Sequence, residues 1–139
     1  VVDNSGMGDV SCMGGMACKG YFGNGVSAAI VWGDVRDISS IRQSGFPVWS
    51  HGQTCVSGKY RIFASEINGP VTLGSVLVLP GDLIVADDSG VCVVPFNLID
   101  SLIAGLIVTI KAEKNMSSLL DYKKSIDEVR KADRIQYKK

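Results

Sequence analysis

An arginine and an aspartate stand side by side at Arg36 and Asp37, just past the apolar run Ala29-Ile30-Val31-Trp32-Gly33. The arginine side chain is a planar fork that grips a carboxylate through two hydrogen bonds. The aspartate offers hard oxygens to a divalent cation. Together they suit a small keto-acid held on a metal, which polarises the keto oxygen and stabilises an enolate, as carbon–carbon cleavage beside a carbonyl requires. Taken alone, the same pair is equally well a surface ion pair or a turn. A second group fits the same chemistry. Gly14-Gly15-Met16-Ala17 lies where helical periodicity sets in, and successive backbone N–H groups at a helix start seat a carboxylate or an enolate oxygen. Tight packing of a helix on a strand is the competing explanation for the paired glycines.

Other motifs carry less. Gly6-Met7-Gly8 follows a short apolar start, but Ser11 stands in the place of the third glycine of a dinucleotide loop. Gly20-Tyr21-Phe22-Gly23-Asn24-Gly25 precedes a strand, the wrong order for a phosphate loop, and no Gly-Lys-Ser or Gly-Lys-Thr occurs. His51 is the sole histidine and no Gly-x-Ser-x-Gly elbow exists, so it reads as a loop or interface residue. Asp82, Asp87 and Asp88 sit in turn signals and read as turn formers.

The elements that must position these residues follow from periodicity. Val10, Met13, Ala17 and Cys18 place a helix within Asp9 to Lys19. Ser27 to Trp32 reads as a buried strand, Ile38, Ile41 and Arg42 as a short helical patch ending at Ser44-Gly45, and Phe46 to Trp49 as a second buried strand. Gln53 to Lys59 is a polar loop. A β-rich block follows in five runs: Tyr60 to Ile67, Val71 to Leu73, Val76 to Leu79, Leu83 to Ala86 and Val91 to Val94. Turn signals at Asn68-Gly69-Pro70, Pro80-Gly81-Asp82 and Asp87-Asp88-Ser89-Gly90 separate them at hairpin spacing. From Leu98 the period changes to 3.6, with Leu102, Ile103, Leu106, Ile107 and Ile110 on one broad apolar face. The class is α/β, β-rich at its centre with helices at either end.

The 139 residues carry 14 basic and 14 acidic side chains. That balance recruits neither nucleic acid nor an anionic membrane. Residues 111–139 form a charged helical C-terminal tail, with nine Lys or Arg against five Asp or Glu. Cys12, Cys18, Cys55 and Cys92 lack zinc spacing and lie among small or apolar neighbours, as buried free thiols do in a reducing, cytoplasmic compartment. No leader and no membrane-spanning run is visible. The opening at Val1, without a methionine, suggests a processed or trimmed chain.

The stretch from Gly25 through Gly33-Asp34-Val35-Arg36-Asp37 resembles the signature strand of the RraA-like family. Pro47-Val48, Val76-Leu77-Val78-Leu79-Pro80-Gly81-Asp82, Ala86-Asp87-Asp88-Ser89-Gly90-Val91 and Val94-Pro95 match its later segments in order and spacing, so the resemblance runs from Asp3 to about Glu113. It implies a three-layer β-β-α, swivelling-type domain with mixed sheets and a C-terminal helix. That domain would span residues 1–139, without the N-terminal helices with which family chains begin. The family includes metal-dependent class II pyruvate aldolases acting on 4-hydroxy-4-methyl-2-oxoglutarate and 4-carboxy-4-hydroxy-2-oxoadipate. It also includes regulators that bind the RNA-degrading enzyme RNase E. For the aldolase reading the resemblance implies catalytic Arg36, Asp37 and Glu113. Arg36 would bind the pyruvate carboxylate, Asp37 would anchor Mg2+ or Mn2+, and Gly14, Gly15, Met16 and Ala17 would receive the substrate. Glu113 would reach a neighbouring subunit's site in a homotrimer or homohexamer.

The expected function is therefore a lyase that releases pyruvate from a 4-hydroxy-2-oxo acid, with oxaloacetate decarboxylation by the same enolate chemistry. The alternative is a non-catalytic regulator that binds a protein partner. Family aldolases carry an acidic residue 21 positions before the arginine, where this chain has Gly15, which favours the alternative. Regulators tend to lose the aspartate after the arginine, whereas Asp37 is present.

Overall fold

The computed structural model describes residues 1–121 and 125–133. They fall into two compact units, Val1–Phe96 and Asn97–Lys139.

The first unit is organised by one strand. Four strands form its parallel sheet: β1 (Val2–Asp3), β2 (Ser11–Met13), β3 (Ala29–Val35) and β4 (Val48–Gln53). All but one residue of β3 are buried, which is why its sequence is a near-continuous apolar run rather than an alternation. Val31 pairs with both Val2 and Ser50, and Val35 with both Met13 and Gln53. Thus β1 and then β2 follow one edge of β3, while β4 follows the other. Two helices cover one face, α1 (Gly15–Gly23) and α2 (Ile38–Ser44). Ala29, Val31 and Val35 meet Met13, Cys18, Ile41 and Phe46 there in a buried core. Ile30 and Trp32 point the other way, into an apolar cleft of about 360 Å³ that Trp49, His51 and Leu73 also line.

Two antiparallel hairpins complete this unit, β5 (Val71–Leu73) with β6 (Val76–Val78) and β7 (Leu83–Asp87) with β8 (Gly90–Val94). The β7–β8 turn falls at the Asp87-to-Gly90 signal, while the β5–β6 turn forms at Gly74, left-handed at φ +63°, which is not among the turn signals. The Trp49 indole N–H donates to the Asp87 carbonyl at 2.8 Å and ties β4 to the second hairpin. Sheet directions are segregated, parallel in the centre and antiparallel in the hairpins, instead of mixed within one sheet.

Three local expectations change. The helix read over Asp9 to Lys19 is a strand, β2, followed by α1. Extended Gly14 (φ −144°) separates them, because the backbone must turn there from the sheet into the helix. The run Tyr60 to Ile67 contains no strand. Tyr60 is left-handed at φ +65°, and the N–H groups of Arg61 and Ile62 both donate to the Gly58 carbonyl, closing turns that a strand cannot contain. The strand expected from Phe46 starts at Val48, since Phe46 follows the left-handed helix terminus at Gly45 and donates its N–H to Ser44 Oγ, and the strand's residues are half-buried or exposed, not buried.

The second unit holds α3 (Ile99–Asp121) and α4 (Ile126–Asp133). Ser125 and Glu128 cap α4 reciprocally. The Ser125 N–H donates to Glu128 Oε2 at 2.9 Å and the Glu128 N–H donates to Ser125 Oγ at 3.3 Å. Among the described residues of this pair, Ala112 and Val129 are buried. Of the helical tail expected over residues 111–139, residues 122–124 and 134–139 lie outside the described residues, and the described remainder is helical apart from Ser125.

Phe46 is 2% exposed within the core cluster. Phe46→Ala is expected to destabilise the protein by about 3–5 kcal/mol, read from the urea midpoint, because it removes a large buried side chain and leaves a cavity.

Candidate functional site

The C-terminal ends of β2 and β3 lie side by side, since Met13 is in register with Val35. The turns that follow them therefore cross at one place. Gly14-Gly15 leads into α1, and Arg36-Asp37 leads into α2. The crossing is tied twice, by the Arg36 N–H donating to the Met13 carbonyl at 3.0 Å and by the Gly15 N–H donating to Asp37 Oδ2 at 3.2 Å. A Cβ on Gly14 would lie 2.7 Å from Asp37 Oδ2 and 2.9 Å from Arg36 Cγ. One on Gly15 would lie 2.5 Å from Ser40 Oγ. Both glycines are thus needed for the approach of the two turns. The pair stands at a helix start, and its close packing is against the Arg36-Asp37 turn and Ser40 of α2, in place of the expected helix-on-strand contact.

Asp37 occupies the position that caps α2, yet its side chain makes no capping bond. Its backbone is left-handed at φ +61°, a conformation that aspartate tolerates better than most residues. That twist turns the carboxylate across to Gly15. The Arg36 guanidinium stands 3.4 Å from the same Oδ2, both side chains being about two-fifths exposed at 38% and 40%. An ion pair this open contributes about 0–1 kcal/mol, so its geometry is available to a ligand at little cost. The N–H groups of Met16 and Ala17, in the first turn of α1, have no acceptor within the helix. One site therefore gathers an arginine fork, a carboxylate and free N–H donors at a positive helix end.

Arg36, Asp37, Gly14 and Gly15 come together as described, and Met16 and Ala17 follow Gly15 in the first turn of α1. Glu113 is exposed on α3, in the second unit. His51 belongs to β4 and not to a loop, with its ring edge-on to Trp32 at 4.6 Å between centroids. Asp82 and Asp87 act in turns, accepting from the N–H groups of Leu79 and Phe96 and of Ser89 respectively.

Two residues near the site escaped sequence reasoning. Asp34 is 5% exposed, in register with Ser11 and Gly52. A Cβ on Gly52 would collide with its carboxylate. The available signal was an acidic residue inside an otherwise apolar strand. Ser40, beside Gly15, carried no signal at all.

The four cysteines are free, but only Cys18 is buried and Cys12 half-buried, while Cys55 and Cys92 are exposed. Burial pushes the Cys12 thiol up, and nearby Asp34 adds to the shift. Burial likewise raises Cys18, with a smaller push from Asp37 against the lowering effect of a backbone hydrogen bond. Neither thiol is primed as a nucleophile.

Gly14→Ala is expected to lower the melting temperature by several degrees in a thermal scan, because its Cβ drives Arg36 and Asp37 apart. The thiols carry a pH signature. A group protonated more tightly when folded adds stability below the ordinary thiol range and loses it above. Stability at Cys12 and Cys18 is thus expected to fall as pH rises beyond about 8.5. Replacing both with alanine should flatten that fall in urea titrations.

Residues 1–93 match the RraA-like family, described as Aldolase/RraA. The chain is 29% identical over 94% of its length to Protein DlpA of Legionella pneumophila, covering 21% of that protein. It is 38% identical over 51% of its length to a Halalkalibacterium halodurans protein named "Putative 4-hydroxy-4-methyl-2-oxoglutarate aldolase", covering 33% of it. Among solved structures, an uncharacterized protein from Pseudomonas syringae pv. tomato superimposes with a TM-score of 0.87 at 25% identity, over 93% of this chain and 65% of that one. Streptomyces coelicolor RraAS2, described as an unusual member of the RNase ES inhibitor RraA protein family, superimposes with a TM-score of 0.62 at 34% identity, over 76% and 54%. The chain spans between 21% and 61% of the length of the curated relatives it matches. With two-thirds of its residues matched, this chain belongs to the RraA-like, aldolase/RraA family.

Proposed function

We propose that the chain is the site-bearing part of a divalent-metal-dependent lyase, cleaving a 4-hydroxy-2-oxo acid to pyruvate and a second carbonyl compound. The supporting observation is the pairing of an exposed arginine fork with a carboxylate already accepting an N–H from the opposite turn. In the reaction the C3–C4 bond breaks, its electron pair stays on the pyruvyl fragment, and the C4 hydroxyl loses its proton to become a carbonyl. C3 then takes a proton to complete pyruvate.

Asp37 fits an Mg2+ or Mn2+ anchor. Its Oδ2 meets Gly15 and Arg36, and its Oδ1 makes no hydrogen bond among the described residues. No three His, Cys, Asp or Glu side chains gather among the described residues. One carboxylate is nevertheless sufficient for a cation that keeps several waters and takes substrate oxygens as ligands. When bound, the cation supplies positive charge for the negative charge that develops on the keto oxygen. Arg36 turns its fork from Asp37 to the substrate carboxylate and fixes the orientation of the keto group. The Met16 and Ala17 N–H groups donate to oxygens that gain charge. His51 faces Trp32, so a solvent water is the better proton acceptor. In this reading the domain adopts the family's three-layer β-β-α arrangement and works as a cytoplasmic homotrimer or homohexamer. The exposed apolar side chains of α3, such as Ile103 and Ile107, support the oligomer. Glu113 would serve a neighbour's site.

A second reading is favoured by one residue. Gly15 leaves no side chain where the family's aldolases carry an acid, and Ser40 fills the space. The alternative is a regulator that binds an RNA-degrading enzyme through its assembled surface; the Streptomyces relative is described as belonging to an RNase ES inhibitor family.

Pyruvate release from a 4-hydroxy-2-oxo acid with Mg2+ is expected to fall at least about a hundredfold on adding EDTA or in Asp37→Ala. Arg36→Ala should weaken substrate binding. Equal rates in all arms, with partner binding that survives Arg36→Ala, would establish the regulator in place of the lyase.

A further inference from the structure

Three of the six serine hydroxyls on the described helices fold back onto their own backbone. Ser44 Oγ donates to the Ile41 carbonyl at 2.6 Å, Ser101 Oγ to Leu98 at 2.9 Å and Ser118 Oγ to Lys114 at 3.0 Å. A helical serine hydroxyl either bonds back in this way or points to solvent. Ser40, in the first turn of α2, does not do this, nor do Ser39 and Ser117; what sets Ser40 apart is its position over Gly15. Ser40 is exposed, and its hydroxyl makes no hydrogen bond among the described residues. It leans instead over the opposite turn. A Cβ on Gly15 would lie 2.5 Å from Ser40 Oγ, 2.8 Å from Ser40 Cβ and 3.5 Å from Asp37 Cβ. The hydroxyl therefore occupies the space where a side chain at position 15 would begin, alongside the residue that supplies the site carboxylate.

We infer that Ser40 is a ligand-contacting residue of the Arg36–Asp37 site, its hydroxyl hydrogen-bonding an oxygen of the small 2-keto-acid anion held there. The inference rests on the lyase reading and adds a residue to it. Glycine at 15 is the condition for this contact, because any larger residue pushes the hydroxyl away. The two positions thus act as one unit, a bare backbone on α1 and a short hydroxyl on α2. A structural role for the hydroxyl is disfavoured by its lack of any protein partner, since removing it leaves no buried group unpaired.

The test uses the whole chain, with pyruvate and with oxalate as probes in the presence of Mg2+. Calorimetric titration of Ser40→Ala is expected to show affinity three- to tenfold weaker than the unaltered protein, the scale of one neutral hydrogen bond. Its melting temperature should not change. Gly15→Ala, which displaces the hydroxyl without removing it, should weaken binding by a similar factor. Where turnover is measured, Ser40→Ala should raise KM and leave kcat within about twofold. Unaltered affinity in Ser40→Ala, while the parent protein binds both probes, overturns the role of Ser40 and leaves the lyase reading standing. No binding of either probe by the parent protein overturns the lyase reading, and the inference with it.

Discussion

The rest of the site depends on the close approach of two backbone turns. The Gly15 N–H reaches Asp37 Oδ2 at 3.2 Å only because neither Gly14 nor Gly15 carries a Cβ. With the turns in contact, one carboxylate orients a helix start, meets an arginine and still keeps an oxygen free. Parallel strands end at the same edge of a sheet, so the loops after β2 and β3 meet there. Ligand sites on parallel sheets gather at that carboxyl edge for this reason. The register of Met13 with Val35 is the link from fold to chemistry.

The site is held by backbone more than by side chains. Its ion pair is open and weak, and Asp37 sits in a left-handed conformation that costs most residues about 1 kcal/mol or more. The stabilisation lies below it, where Val31, Val35, Ile41 and Phe46 are nearly sealed from solvent. This division suits a binding site. A buried core fixes where the turns begin, and exposed groups on them exchange partners at small cost. Asp34 is the exception, a buried carboxylate one row below the site, housed against Gly8 and Gly52.

Legibility varied with how local the cause was. The second hairpin was readable because Asp87-Asp88-Ser89-Gly90 forms a turn that only a few residues permit, and the first because its two short apolar runs stand apart, although its turn glycine, Gly74, was not singled out. The apolar run of β3 and the 3.6 period of α3 were readable because burial writes its period into the sequence. The strand β2 was not, since three residues beside two glycines carry too little pattern. Tyr60 to Ile67 misled because aromatic and β-branched residues favour strands, while turns around Gly58 and left-handed Tyr60 decided otherwise. Arg36 and Asp37 were singled out by residue type alone, but type could not tell capping from ligation. The orientation of the Asp37 carboxylate excluded the cap.

The sequence by itself determined the family, the apolar strand that delivers Arg36 and Asp37, and the glycines that leave room beside them. Residue type and short-range spacing carry that information. Tertiary structure alone decided that the two glycines face those two residues, that Asp37 crosses to Gly15, and that Ser40 stands where a side chain at 15 would lie. These are contacts between segments 22 and 25 residues apart along the chain. Only the pairing of β2 with β3 brings them together, and no local pattern encodes a register between distant strands.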